Sequence, residues 1–329
     1  MNKTIIAEIG SVHDGSFGNA CKLIESAADC GASIVKFQHH IADEEMIVGA
    51  KNPKYFNDEP RFEYFKRIEF RPDEIEKLMN KCKDLKIEYL CSPFSIRSVE
   101  VLEDLNINSY KIASGEVTNI FLLERIAKTK KKVYLSTGMS NWNDIDEAIK
   151  ILNNNELVVM QCSSVYPCPE ESVGLNNLNI LRKRYNKEIG FSDHSTGFAA
   201  AFAAAALGAN VIEKHFTFSR LMYGSDAQFA MDPQDFKKFC YEIKRIWKIL
   251  DHPVNKDKIG YLKDMKNIFE KSLVISKDLK KGHIISKNDL NAKKPGNGIP
   301  INEYKKIIGK KLKKNTKKNY QLKPSDFCS

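Results

Sequence analysis

Short apolar runs alternate with segments of helical periodicity along the first 250 residues. The helical segments, such as 72–86 and 233–250, have apolar positions three and four residues apart. The apolar runs are nearly continuous, as in parallel strands that are covered on both faces. Eight such runs occur, at 4–10, 33–38, 88–94, 109–116, 132–139, 157–166, 188–194 and 211–217. Eight strands separated by helices predict an α/β fold, a (β/α)8 TIM barrel.

A doubly wound open sheet is the alternative architecture for the same alternation. No GxGxxG motif follows the first apolar run, which weakens a dinucleotide-binding version of that fold. Residues 39–71 interrupt the alternation and show no clear helical period until their end. Because a long insertion after a barrel strand usually covers the active site, we expect this segment to lie there.

The pattern changes after Leu250, where short β-like runs are separated by Lys-Gly and Pro-Gly turns. We predict a catalytic barrel over 1–250, a polar linker over 251–270 and a small appended domain over 271–329. A segment of this size is near the lower limit for independent stability.

The net charge of +10 is concentrated in the appended segment, because residues 271–329 carry +12 and the first 270 residues carry −2. Such a lysine-rich segment raises the hypothesis of nucleic-acid binding. The lysines lack interleaved aromatic or arginine residues, so we favour a solvated surface and expect no nucleic-acid partner. No run of 18 apolar residues occurs and the chain starts directly with a strand pattern, so we expect a cytoplasmic protein without membrane contact.

Polar side chains collect at the predicted C-terminal ends of the strands, where barrels place their active sites. They include Glu8, Lys36, Gln38, Ser92, Lys111, Ser114, Glu116, Ser136, Ser164, Tyr166, Ser192, His194, Glu213 and His215. Ammonium and hydroxyl groups together suit a phosphate or carboxylate dianion. An inward lysine among apolar neighbours is costly without an anion, which favours an anion site over a snorkelling lysine.

His194 and His215 end two consecutive strands of the βαβ unit over 188–217. A lone strand histidine is more often a core residue, but matching positions in neighbouring strands favour a divalent metal site. Glu8 or Glu116 could supply a proton-transfer group. Glu213 faces the same side as His215 and could support a ligand rather than be one.

These residues resemble the sialic acid synthase family, the phosphoenolpyruvate-condensing nonulosonic acid synthases, over essentially the full chain. The matching stretches include AEIGSVHDG (7–15), VKFQ (35–38), YKIASGE (110–116), LSTGM (135–139), GFSDHS (190–195), EKHFT (213–217) and GSDAQFAMDP (224–233). The tail resembles the antifreeze-like (SAF, β-clip) domain of that family around KKPGNGI (293–299).

The resemblance implies a homodimer in which the SAF domain of one chain covers the barrel mouth of the other. It also implies that phosphoenolpyruvate condenses with the open-chain aldehyde of an N-acylated amino sugar, giving a nine-carbon α-keto acid and phosphate. Our main prediction is N-acetylneuraminate synthase, acting on N-acetylmannosamine. The alternative is a legionaminic or pseudaminic acid synthase acting on a diacetamido-trideoxy sugar. A pyruvate-dependent metal aldolase is a more distant alternative, because it would not need two lysines and a ring of serines.

The resemblance further assigns residues to roles. It implies metal binding by His194 and His215, with Mn²⁺ as the expected ion and Mg²⁺ or Co²⁺ as alternatives. The phosphoenolpyruvate set would be Lys36, Ser92, Lys111, Ser114, Ser136, Ser164, Tyr166 and Ser192. With Glu116, which its strand-end position suggests, the predicted catalytic set is Glu8, Glu116, His194 and His215. The amino sugar would contact Gln38, Asp226 and Lys294. Lys294 replaces the usual arginine and Val12 the usual asparagine, departures that bear on the sugar more than on the reaction.

Overall fold

The predicted TIM barrel is confirmed by a computed structural model that describes residues 3–54, 56 and 58–328. Eight parallel strands follow one another around a closed barrel, and β8 pairs back with β1. The strands are β1 (Thr4–Gly10), β2 (Ile34–His39), β3 (Glu88–Pro93), β4 (Ser109–Ile112), β5 (Lys132–Ser136), β6 (Leu157–Cys162), β7 (Glu188–Asp193) and β8 (Val211–His215). All eight coincide with the predicted apolar runs, and the pairing of β8 with β1 excludes the open-sheet alternative.

Helices pack around the outside of the strands and begin at recognisable capping residues. Ser16 caps the first helix by accepting the N–H of Asn19, and Asp232 caps the last barrel helix, whose first residue is Pro233. The barrel unit contains α1 (Phe17–Asp29), α2 (Ala42–Glu45), α3 (Arg61–Ile68), α4 (Pro72–Asp84), α5 (Ile96–Asp104), α6 (Ile120–Ala127), α7 (Trp142–Ile151), α8 (Asn176–Tyr185), α9 (Ala199–Ala206) and α10 (Pro233–Leu250).

The barrel interior changes from apolar to polar along the strands. Ile6, Ile34, Leu90, Tyr134, Val158, Met160 and Val211 form one buried apolar cluster. Because side chains alternate with a period of two, the residue two positions further along each strand faces the same interior. Those positions include Glu8 above Ile6, Lys36 above Ile34 and Ser92 above Leu90. The strand pleat therefore stacks a layer of polar groups directly above an apolar floor.

The chain separates into two compact units, residues 1–252 and residues 253–329. The second unit contains α11 (Lys263–Phe269), α12 (Tyr304–Ile307) and the antiparallel pair β9 (Ser272–Ile275) and β10 (Leu290–Lys293). Helix α11 lies inside the segment predicted as a linker. A separate apolar cluster, which includes Leu273, Ile285, Leu312 and Phe327, forms the core of this unit. In the described part of the chain, every helix is too short or too polar to cross a membrane.

Candidate active site

A cavity of about 560 Å³ lies at the C-terminal ends of the barrel strands. It is lined by every predicted site residue of the barrel unit, from Glu8 on β1 to His215 on β8 and Asp226 beyond it. Lys294 belongs to the second unit, where its ammonium lies 5.1 Å from the ring centroid of Phe269. Fourteen predicted residues therefore line one cavity, most of them at the C-terminal ends of strands, as expected for this fold. The sugar-binding role of Lys294 stays a prediction.

Glu213 connects the two buried lysines of the cavity. Its Oε1 accepts hydrogen bonds from Lys36 Nζ (2.8 Å), Lys111 Nζ (3.3 Å) and Ser192 Oγ (3.0 Å). Lys36 Nζ also lies 3.3 Å from Glu8 Oε2. The sequence placed Glu213 beside the metal site, whereas the structure shows it as the shared counter-ion of both lysines.

Burial and charge set the protonation of this cluster. Burial opposes ionisation of Glu213, but Lys111 and Lys36 outweigh it and hold its pKa well below the usual range. The carboxylates likewise outweigh burial at Lys36 and raise its pKa, whereas burial lowers the pKa of Lys111. Burial raises the pKa of Glu8 to about 7, although Lys36 opposes this shift. Glu8 can therefore exchange a proton near neutral pH, as a general acid or base requires.

Several buried polar atoms of the cavity make no hydrogen bond within the described residues. They are Glu8 Oε2, Ser92 Oγ, Ser136 Oγ, Glu213 Oε2 and His215 Nδ1. Buried polar atoms are normally paired, so a group of exceptions in one cavity indicates a place for a polar ligand. Hydroxyls beside Lys36 and Lys111 have the donors that an anion with several oxygens needs.

A glycine allows three polar side chains to converge at one wall of the cavity. A Cβ on Gly138 would contact Ser164 Oγ and would lie 2.9 Å from Ser114 Oγ and 3.0 Å from Cys162 Sγ. The Gly138 N–H donates to Ser114 Oγ (3.1 Å). Only glycine leaves room for this approach, which explains the glycine of the LSTGM stretch.

The two histidines lie side by side, with ring centroids 5.4 Å apart. His194 Nδ1 is 2.7 Å from the carbonyl oxygen of Ser163, so this nitrogen carries the hydrogen, and Nε2 is left to accept from Tyr166 Oη at 3.0 Å. Burial lowers the pKa of His215 to about 4, which keeps its imidazole neutral.

Cys162 lies next to His194, with its Sγ 3.7 Å from His194 Nδ1. Burial opposes ionisation of the thiol, but His194 outweighs it and lowers the pKa of Cys162 to about 7. Among the described residues, no set of three or more His, Cys, Asp or Glu side chains is placed to hold a metal. Cys162 and the Ser163 carbonyl in turn outweigh burial at His194 and raise its pKa. Two adjacent imidazoles, of which His215 has a buried unpaired nitrogen, nevertheless fit a divalent ion that takes its other ligands from water and substrate.

Glu116 lies in the same cavity and accepts from Asn119 Nδ2 (2.7 Å), and burial raises its pKa. On another wall, Ser11 Oγ donates to Asp226 Oδ2 (3.3 Å). Gly10 is required beside them, because its φ is +54° and a Cβ would lie 2.5 Å from Asp226 Oδ2. Ser11 was missed by sequence reasoning, because it lies beyond the strand end and contacts a residue 215 positions away.

The insertion after β2 lines the cavity, as expected for a segment that covers the site, and it contributes an apolar wall. This wall is lined by Met46, Ala50, Pro53, Phe56, Tyr64 and Phe65, with Phe94 and Met139 from other loops. The insertion also brings polar and charged groups to the cavity, namely His40, Glu45, Asn52 and Arg61. The aromatic content of 52–65 was the sequence signal for these residues. It did not indicate which of the rings would face the cavity.

A barrel with a lysine- and serine-lined cavity beside two histidines defines the class, and comparison with known proteins identifies the family. The model of the NeuB family matches residues 23–255, and that of the SAF domain matches residues 270–327. The chain belongs to the NeuB family of nonulosonic acid synthases and carries a C-terminal SAF domain.

The chain is 39% identical over 330 residues to an N,N'-diacetyllegionaminic acid synthase of Campylobacter jejuni, spanning 97% of this chain and 98% of that protein. It is 32% identical to a pseudaminic acid synthase of Campylobacter jejuni, spanning 98% and 96%. The crystal structure of an N-acetylneuraminic acid synthetase from Leptospira borgpetersenii, in complex with citrate, has a TM-score of 0.70 at 30% identity, covering 81% of this chain and 93% of that chain.

Proposed function

We propose that this protein condenses phosphoenolpyruvate with the open-chain aldehyde of a 2,4-diacetamido-2,4,6-trideoxy sugar. The products are a diacetamido nonulosonic acid of the legionaminic type and inorganic phosphate. N-acetylmannosamine, which the sequence-based prediction preferred, is the second candidate.

The apolar outer wall is the observation that carries this choice of sugar. A diacetamido-trideoxy sugar has a methyl group at C6 and a second acetamido methyl, whereas N-acetylmannosamine has hydroxyls at the corresponding carbons. Phe56, Phe65 and Phe94 offer apolar surface to methyl groups but no hydrogen bond to a hydroxyl. Because a polar group loses free energy when it leaves water without a partner, this wall favours the less polar sugar. The similarity to the legionaminic acid synthase supports the same choice.

The lysine and serine layer is proposed to hold phosphoenolpyruvate. Lys36 and Lys111 would balance its negative charge, and the unpaired hydroxyls of Ser92 and Ser136 would donate to its oxygens. Ser114, Ser164, Tyr166 and Ser192 complete the proposed set. In the reaction, C3 of phosphoenolpyruvate forms a bond to the aldehyde carbon, water adds at C2, and phosphate leaves from C2 with its oxygen. The aldehyde oxygen takes up a proton and becomes a hydroxyl, and Glu8, whose pKa is about 7, would take the proton of that water.

His194 and His215 are the proposed holders of a divalent metal, with Mn²⁺ preferred over Mg²⁺ and Co²⁺. When bound, such an ion polarises the aldehyde oxygen as a Lewis acid. The hydrogen bond from His194 Nδ1 to Ser163 leaves Nε2, which accepts from Tyr166 Oη, as the nitrogen that would bind the metal. Tyr166, Gln38 and Asp226 remain proposed contacts of the substrates, and Glu116 remains a second proposed proton-transfer group.

The proposed active assembly is a homodimer in which the SAF domain of one chain covers the barrel mouth of the other. Lys294 would then reach the sugar in place of an arginine. A lysine provides one flexible point charge rather than a planar fork, so its contact would constrain the sugar less.

Phosphate release from phosphoenolpyruvate with Mn²⁺ tests the function directly. We expect turnover with 2,4-diacetamido-2,4,6-trideoxy sugars and a kcat/KM at least about tenfold lower with N-acetylmannosamine, because each misplaced polar or methyl group changes binding by about 1 to 3 kcal/mol. A preference for N-acetylmannosamine would establish the second candidate. Absence of phosphate with every sugar would contradict the proposed reaction, and product formation from pyruvate without phosphate would show an aldolase.

A further inference from the structure

A chain of three hydrogen bonds links the insertion after β2 to Glu8. Glu45 Oε2 lies 2.8 Å from His40 Nδ1, His40 Nε2 lies 3.0 Å from Gln38 Oε1, and Gln38 Nε2 donates to Glu8 Oε1 at 2.7 Å. His40 and Glu45 are almost fully buried, with side chains 5% and 7% exposed. All four residues line the cavity.

The hydrogen bonds of this series have a definite donor-to-acceptor direction, because the four side chains differ in what they can donate. Gln38 uses its N–H₂ on Glu8, so its carbonyl oxygen faces His40 and can only accept. His40 must therefore carry a hydrogen on Nε2. Its other nitrogen then shares a hydrogen with Glu45, whichever of the two groups holds it. Each residue thereby fixes the orientation of the next.

Aromatic packing prevents the imidazole from turning away. The ring of His40 is stacked on Phe94, with centroids 4.3 Å apart and planes 16° from parallel. The centroid of the Phe65 ring lies 4.0 Å from that of His40. Phe65 lies on α3 and Glu45 lies on α2, so two parts of the insertion fix His40. The fold of the insertion is thus connected physically to the carboxyl group of Glu8.

We propose that Gln38, His40 and Glu45 are positioning residues that set the direction of the Glu8 carboxyl group. Holding Oε1 through Gln38 leaves Oε2, which makes no hydrogen bond and lies 3.3 Å from Lys36 Nζ, as the oxygen available to the reacting atoms. This inference rests on the proposed function. It gives the insertion a second task, because the same segment that forms the apolar wall for the sugar also orients the proton-transfer group. Gln38 keeps one N–H and one lone pair for the sugar, so its predicted substrate contact is compatible with this role.

Two substitutions at His40 separate positioning from simple packing. His40→Gln places an amide N–H near the position of Nε2 and retains the donor to Gln38, whereas His40→Asn places its amide near Nδ1 and retains only the contact with Glu45. Misplacement of a catalytic group by about 1 Å can cost about a hundredfold, so we expect kcat of His40→Asn to fall between about tenfold and a hundredfold. His40→Gln should keep kcat within about threefold, and KM for phosphoenolpyruvate should change little in both.

His39→Gln is the matched control for these variants. His39 is buried next to His40 but hydrogen-bonds to Ser98 and does not line the cavity. This variant should lose stability without a change in kcat. Equal losses of kcat in His40→Gln and His40→Asn would overturn the proposal, because a packing role does not distinguish the two ends of the ring.

Nitrogen-15 spectra of the histidine side chains provide a readout that does not need activity. The His40 signals, assigned by their loss in His40→Gln, should show a hydrogen on Nε2. A neutral ring protonated only at Nδ1 would overturn the proposal even if the enzyme turned over. If no sugar supports phosphate release, the proposed function fails, but the spectra still decide the orientation of the chain.

Discussion

Strands β7 and β8 carry one buried ionic cluster on each face, and the two clusters differ in how complete they are. Ser192 pairs with Glu213 on the inner face, and Asp193 pairs with Lys214 one residue further on the outer face. In the outer cluster, Lys214 Nζ donates to Asp193 Oδ2 (2.8 Å) and also to the carbonyl of Ser195. Asp193 Oδ1 accepts from both the N–H and the hydroxyl of Ser195. Both carboxylate oxygens are used, so this cluster is closed.

The inner cluster is also built from a carboxylate, lysine and serine, but some of its hydrogen-bonding atoms have no partner among the residues that the structure describes. Glu213 accepts three hydrogen bonds at Oε1, while its Oε2 and the nearby Ser136 Oγ have none. The inner cluster faces a cavity, whereas both side chains of the outer ion pair are at most 1% exposed. Unused hydrogen-bonding capacity, rather than burial or charge alone, therefore distinguishes a binding cluster from a structural one.

The largest expected effect is on the stability of the outer cluster. Lys214→Met leaves Asp193 buried without its counter-charge, which should lower the free energy of unfolding by about 3 to 5 kcal/mol. Urea unfolding of the full chain measures it, with the exposed Lys183→Met as control. Adding Asp193→Asn removes the uncompensated charge and should restore part of the loss. Equal urea midpoints for Lys214→Met and Lys183→Met would contradict the structural assignment.

The inner cluster should respond mainly in activity. Lys111→Met removes one of the proposed anion donors, and kcat/KM for phosphoenolpyruvate should fall by at least about a hundredfold. The stability loss should be smaller than for Lys214→Met, because Glu213 keeps Lys36 and Ser192 as partners. Phosphate release and urea unfolding on the same samples give both quantities. A variant that is strongly destabilised but fully active when folded would reverse the comparison.

The smallest expected effect is a pH dependence that belongs to the inner cluster. The folded pKa of Glu8, about 7, lies above its ordinary value of 4.5, so the folded state holds more protons between these values. The stability contribution is complete below pH 4.5 and is lost as the pH rises through 7. Between pH 5 and 8 we expect wild type to lose roughly 2 kcal/mol more than Glu8→Gln. Parallel stability curves for the two proteins would show that Glu8 does not titrate in this range.

The sequence was sufficient for the barrel and for most of the inner layer because both depend on local pattern. Continuous apolar runs defined the strands, and the period of two placed Lys36 above Ile34 without knowledge of any contact. The strand-end rule then brought Glu8, Lys111 and the histidines together, since all eight parallel strands end at the same rim.

The choice of partners was decided only by the closed barrel. Lys36 and Glu213 are 177 residues apart, and their hydrogen bond exists because β8 returns to β1. The same limit applies to His40, whose ring packs on Phe65 and Phe94 from separate segments of the chain. Sequence periodicity determined which face each strand residue takes, but only tertiary packing determined which polar groups would be satisfied and which would be left for a ligand.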